Sequence, residues 1–224
     1  MSGRGRGLGV TAVVLGLVGL VLGFGSFGYA RAAYGGSILQ GPSMSPTYKQ
    51  GDRVFFERVD GTQVRRGDVV LFSAPDRYGF TADVMARVIG VGGDHVVCCT
   101  GEGSRARVTV NGTPLQEPYV KDGHADGARK AYGVKVPKGR LFLLGDNRAN
   151  SHDSRFFTAD HGGTVPAPAV KGRVIHSRTA PALIVIGMFA GVVSLLLGLG
   201  FGIVAPAERW RKAVPTVPPW PMRA

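Results

Sequence analysis

Cysteine is almost absent from this chain: Cys98 and Cys99 are its only two among 224 residues, and they are adjacent. Neighbouring thiols cannot supply metal-ligand spacing on their own, and one pair cannot build a framework of disulfides. Acidic residues are also scarce, 15 against 27 Lys and Arg, so the formal net charge is +12. Nucleic acid is the usual partner of so basic a chain. Here the charges are scattered, with no Lys/Arg stripe and no aromatic interleaving, which argues against nucleic acid. Anionic lipid headgroups fit better, because basic residues follow the second of two long apolar runs. No internal repeat is visible.

What the chain has instead is glycine, 35 residues of it, and those apolar runs. Leu8 to Ala30 carries no charge over 23 positions. A hydrocarbon core about 30 Å thick needs about 20 apolar residues in a helix. The glycines lower helix propensity without shortening the run. Ala30-Arg31-Ala32 has the small-residue spacing of a cleavage site, but a signal peptide's apolar region is only about 7–15 residues, so a retained anchor is expected. Ala182 to Val204 is the second run, bracketed by Pro181 and Pro206. Neither run shows a polar face, unlike an ordinary surface helix. Arg4 and Arg6 precede the first run, and Arg209, Arg211 and Lys212 follow the second. By the positive-inside rule both ends face the cytoplasm. The expected organisation is a cytoplasmic N-terminus over 1–7, a transmembrane helix over 8–30, an extracytoplasmic domain over 31–180, a second transmembrane helix over 182–204 and a cytoplasmic basic, Pro-rich tail over 205–224. The expected location is the plasma membrane.

The roughly 150 residues between the runs suffice for one domain with its own core. Short apolar stretches separated by turns predict strands at Asp52–Val59, Asp68–Phe72, Val84–Val91, His95–Cys99, Val108–Val110 and Leu141–Leu144. Gly92-Gly93-Asp94 and Asn111-Gly112 supply turns. The fold class is therefore mostly β, an antiparallel domain flanked by two transmembrane helices. Asp122 to Tyr132 reads as an exposed loop. Cys98 and Cys99 read as two small buried hydrophobes at a strand end, with a vicinal disulfide as the alternative on an oxidising side of the membrane.

Four sequence boxes carry chemistry. Ser43, in Gly41-Pro42-Ser43-Met44-Ser45-Pro46-Thr47, lies between two prolines that hold the backbone out of a helix. Arg66-Gly67-Asp68-Val69-Val70 follows, then Arg87-Val88-Ile89-Gly90-Val91-Gly92-Gly93-Asp94, then Gly145-Asp146-Asn147-Arg148-Ala149-Asn150-Ser151-His152-Asp153-Ser154-Arg155. Taken singly, these are ordinary turns and surface pairs. Together, and in this order, they resemble the type I signal peptidase family: its S-M-x-P-T, R-G-D-hydrophobic, R-V-I-G-x-x-G-D and G-D-N-R-x-x-S-x-D-S-R boxes. The second, C-terminal anchor is similar to that of actinobacterial members.

The resemblance implies a serine endopeptidase that removes signal peptides after small Ala-x-Ala residues. It implies Ser43 as nucleophile, its own backbone N–H as an oxyanion donor, and Ser151 as the group that orients the base. It implies Asp153 and Arg155 as a supporting ion pair, and Asp146, Asn147 and Arg148 as residues that shape the same loop. The serine that some members carry two positions before the nucleophile is Gly41 here. Signal peptides and membrane lipids are the implied partners, and no metal or other cofactor is implied.

One part is missing. Family members place a lysine directly before the arginine of the R-V-I-G box, where burial lowers its pKa so that it can take the serine proton. That position is Ala86. Arg87 stays protonated and, by strand alternation, points to the other face. His95 reads as structural or exposed, and Lys121, Lys130, Lys135 and Lys138 fall in polar stretches. His152, next to Ser151, is the best remaining candidate base. The expected function is a type I signal peptidase. The alternative is a catalytically impaired paralogue that binds signal peptides or a partner peptidase without cutting.

Overall fold

The computed structural model describes residues 3–79, 81, 83–101, 105–125, 127, 131–175 and 179–211. In chain order the elements are helix α1 (Gly3–Ala33), strands β1 (Tyr34–Ile38), β2 (Arg53–Glu57) and β3 (Val69–Phe72), the single-turn helix α2 (Pro75–Tyr78), strands β4 (Val84–Val91), β5 (His95–Thr100), β6 (Arg107–Val110), β7 (Thr113–Pro114), β8 (Tyr132–Lys135), β9 (Arg140–Leu144), β10 (Val165–Pro166) and β11 (Val170–Val174), and helix α3 (Thr179–Arg211). They form two compact units, Ala33–His176 and the two terminal segments together.

The middle unit is built of antiparallel strands. One sheet has the order β1-β2-β11-β3-β4-β9-β10 and the other β7-β6-β5-β8. Outer strands alternate as half-buried strands must. In β2, Val54 and Phe56 are buried while Arg53 and Phe55 are exposed. The central strands β3 and β4 and the apolar part of β9 do not alternate, because both faces are covered. Val70, Phe72, Ala86, Val88, Leu141 and Leu143 share one cluster. From the opposite face, Val69, Leu71 and Met85 join Leu39, Met44 and Phe56. Ile89, Phe142 and Leu144 pack with Val96, Val108 and Val134 of the second sheet. Each such side chain is worth about 1.5–3 kcal/mol when fully buried, more than an exposed ion pair, so these clusters hold the sheets.

The six predicted strands are present, and others appear that sequence pattern alone does not mark. In β1, Gly35 pairs with Phe56, and a side chain at Gly35 would collide with the Phe56 ring. The strand is glycine-rich because a neighbouring aromatic ring needs the space, and that same glycine hides its strand character. In β11, Gly172 lies under Phe56 and the Glu57 carbonyl for the same reason. The stretch 122–132 differs from an exposed loop at two points: Ala125 and Tyr132 are buried, and Tyr132 opens β8 against the Phe142 ring. Residues 126 and 128–130 of that stretch lie outside the described residues. Cys98 and Cys99 are joined as a vicinal disulfide at the end of β5, so the disulfide reading holds over the two free thiols.

In the terminal unit, Gly7–Ala33 and Pro181–Val204 are each long and apolar enough to cross a membrane, by length and composition. The helices touch through small residues, which let two backbones approach closely. A Cβ on Gly191 would lie 2.5 Å from the Gly23 nitrogen. Ser194 Oγ donates to the Leu15 carbonyl at 2.9 Å.

Candidate active site

Ser43 lies in the turn that follows β1, with its neighbour Met44 completely buried in the core. The Ser45 N–H closes on the Pro42 carbonyl at 3.1 Å and the Tyr48 N–H on the Met44 carbonyl at 3.0 Å. This turn is gripped by a segment one hundred residues away. The Asn147 N–H donates to the Ser43 carbonyl at 2.9 Å, and Asn147 Nδ2 donates to the Pro42 carbonyl at 3.3 Å. Thr47 Oγ1 donates to Asp146 Oδ2 at 2.5 Å. The Ser43 box and the 145–155 box therefore form one constellation.

Gly145 sits at its centre. A side chain there would run into Ser151 Oγ and come within 2.7 Å of the Ser43 carbonyl oxygen. Only a residue without a Cβ lets Ser151 and the Ser43 backbone meet in this place. Both polar groups of Gly145 are held by buried charges. Its N–H donates to Asp153 Oδ2 at 3.1 Å, and its carbonyl accepts from Arg148 Nε at 3.0 Å. Arg155 binds Asp153 through two nitrogens, at 2.7 and 2.8 Å, and donates to the Arg148 carbonyl at 2.9 Å. Arg148 in turn pairs with the buried Glu117. Burial alone would lower the Arg148 pKa, but the Glu117 carboxylate outweighs that and leaves it raised.

Asp146 is fully buried and accepts Arg87 Nε at 2.8 Å and Arg87 Nη2 at 2.6 Å. The Arg87 guanidinium also covers the Tyr119 ring at 3.9 Å and donates to the Gly67 carbonyl at 2.9 Å. Burial opposes its charge, yet the Asp146 bonds outweigh burial and raise its pKa. Arg87 is thus locked as a cation and supplies no base.

Ala86 packs on the other face of β4, buried in the cluster with Val70, Val88 and Leu143. The register pairs Arg87 with Leu144 and Val88 with Leu143. Extending this register one step sets Ala86 opposite Gly145, and it is Gly145 that meets Ser151 and the Ser43 carbonyl. His152 is exposed, and its ring stacks on Phe156 at 4.7 Å and meets Phe157 and Tyr78 edge-on. Tyr78, whose hydroxyl donates to the His152 carbonyl, has its pKa pushed up to about 12, first by burial and then by the Asp153 charge. A phenol held that high is not a base at neutral pH. His95 and Lys135 are exposed on the second sheet, and Lys121 and Lys138 are exposed in turns; Lys130 lies outside the described residues.

Ser43 opens on a cavity of about 290 Å³, lined also by Ile38, Leu39, Leu71, Asp83 and Met85. A larger cavity, about 420 Å³, is lined by Arg107, Gln116, Glu117, Pro118 and Val120 and by none of the Ser43 box. Sequence reasoning did not single out Thr47, Asp83 or Met85. Thr47 was within a motif, but its partner Asp146 is distant in the chain, and cavity lining leaves no local pattern. Among the described residues, no group of three or more His, Cys, Asp or Glu is placed to hold a metal ion.

The family model described as signal peptidase, peptidase S26, matches residues 11–177. The chain belongs to the signal peptidase family. It is 34% identical over 169 residues to a probable signal peptidase I-2 of Synechocystis sp., covering 73% of this chain and 67% of that protein. It is 32% identical over 175 residues to a signal peptidase I of Leptolyngbya laminosa, covering 75% and 76%. A signal peptidase I of Bacillus amyloliquefaciens is 33% identical over 129 residues, 53% of this chain and 62% of that protein. The crystal structure of a signal peptidase I from Enterococcus faecalis V583 covers 50% of this chain and 97% of that one at 26% identity, with a TM-score of 0.37. By family resemblance the chain is a serine endopeptidase of the signal peptidase I type.

Proposed function

We propose that this chain removes signal peptides from exported preproteins after small Ala-x-Ala residues, with Ser43 as nucleophile, and that it does so slowly because its base is missing. The observation that carries the reading is the grip of Asn147 and Asp146 on the Ser43 turn, beside a largely apolar cavity. That cavity suits small side chains of an extended peptide, whose backbone pairs along a strand edge. Asn147 and the prolines hold the Ser43 backbone so that its N–H can stabilise the charge that develops only in the transition state. Ser151 orients whatever group accepts the proton. Asp153, Arg155 and Arg148 keep Gly145 in place and take no part in bond making. Without a positioned base, about 10²–10⁴ in rate is lost, while the oxyanion donor and binding still contribute.

Incubating the purified protein in detergent with a preprotein bearing an Ala-x-Ala site should yield mature product slowly, and Ser43→Ala should abolish it. Ala86 favours a second reading, in which the chain binds signal peptides or a partner peptidase without cutting. Stoichiometric binding of the preprotein with no product over days selects it. Neither binding nor cleavage rejects both readings.

The anchor proposal follows from the two apolar helices. Residues 31–180 lie outside the plasma membrane and both termini inside, with anionic lipids against the basic ends. External protease on intact spheroplasts should degrade the middle domain. Loss of the tails alone would reverse the topology.

A further inference from the structure

The cavity beside Ser43 contains one charge. Among the described residues that line it, which include Ile38, Leu39, Ser43, Leu71 and Met85, Asp83 is the only ionisable side chain. A carboxylate at the rim of a largely apolar cavity attracts a nearby cation. The structure supplies one from outside the cavity: Lys171 Nζ lies 2.5 Å from Asp83 Oδ1. Lys171 is the extra residue of a bulge in β11, between the pairs Val170–Phe72 and Gly172–Leu71. Bulges re-aim side chains. The pair is not sealed, for the side chains are 25% exposed at Asp83 and 47% at Lys171. The carboxylate is therefore part of the cavity wall, and its counter-ion is a flexible side chain that can leave for water.

The position of Asp83 along the cavity sets what it can meet. Extending the β4–β9 register one step past the Arg87–Leu144 pair sets Ala86 opposite Gly145, the residue that packs against the Ser43 carbonyl. Asp83 is three residues earlier on the same chain segment, about 10 Å away. An extended peptide with its scissile carbonyl at Ser43, laid along β4, covers that distance in three residues. Its two small side chains occupy the part near Ser43. The next residues upstream reach Asp83.

We propose that Asp83 selects for a basic side chain in the two residues immediately upstream of the Ala-x-Ala site, with Lys171 as the internal cation that the substrate displaces. This rests on the substrate reading above. A partly exposed pair is a weak interaction, so the preference is two- to fivefold and fades in salt.

The test uses the full chain in detergent and fluorescent peptides that carry an Ala-x-Ala site with Lys, Gln or Glu at the two upstream positions. The expected order of affinity is Lys, then Gln, then Glu. In Asp83→Asn the ratio of Lys to Glu affinity should fall to about one, Asp83→Glu should restore it, and Lys171→Gln should widen it by removing the competitor. If the Gln peptide binds but the ratio is the same in the unmodified chain and in Asp83→Asn, the charge proposal is overturned and the substrate reading stands. If none of the three peptides binds, the substrate reading is overturned and this proposal with it.

Discussion

Replacing Ala86 by lysine should raise Ser43-dependent cleavage of an Ala-x-Ala preprotein by about 10²–10⁴-fold. Ala86 is buried among Val70, Val88 and Leu143, level with Gly145, where Ser151 Oγ and the Ser43 carbonyl come together. A four-carbon side chain starting there is expected to carry its nitrogen toward the serine. The apolar surroundings disfavour the ammonium and lower its pKa, so the neutral amine becomes available near neutrality. The sign follows directly: activity should rise with pH as the lysine loses its proton through that depressed pKa. Extra methylenes in a packed core cost about 1–3 kcal/mol, so some stability is lost. Ala86→Met adds comparable volume without a proton acceptor and should give no gain. Ala86→Lys combined with Ser43→Ala should be inactive, because the two act as a unit. Fast Ser43-dependent cleavage by the unmodified chain would mean that another group, with His152 the first to test, already serves as base. A folded Ala86→Lys protein without any gain would favour the binding reading.

Asp153→Ala should destabilise the domain by about 3–5 kcal/mol. The substitution leaves the Arg155 guanidinium, 1% exposed, without its carboxylate. It also strips the Gly145 N–H of its acceptor at the point where the two boxes meet. For a protein of this size the transition temperature should drop by roughly 6–20 °C. Asp153→Asn keeps an oxygen for Gly145 but not the charge, and should fall between the two. An unchanged melting temperature in Asp153→Ala would place the pair among solvated surface ions worth about 0–1 kcal/mol. The measurement is thermal unfolding followed by near-UV circular dichroism.

Strands with clear apolar runs, such as Val84–Val91 and Leu141–Leu144, and the two long apolar helices were readable from the sequence, because hydrophobic period and length are local properties. The sequence also marked the family, through boxes whose residues stand together in the chain, and it exposed Ala86 as the odd residue in one of them. The ion-pair chemistry of Asp153 and Arg155 was legible for the same reason, since the partners are two residues apart. Strands β1 and β11 were not legible, because the glycines that make room for Phe56 also erase the strand pattern. Nor was the burial of Tyr132, which depends on Phe142 across the sheets. Whether the two cysteines were joined was left open by composition. It took the folded arrangement to reveal that Asn147 holds the Ser43 carbonyl, that Asp146 joins Thr47 to Arg87, and that Asp83 and Lys171 meet at the cavity rim. Those contacts link residues between 59 and 104 positions apart in the chain. A hydrogen bond has no sequence period, so only the antiparallel register and the packing of the sheet bring such partners within 3 Å of each other.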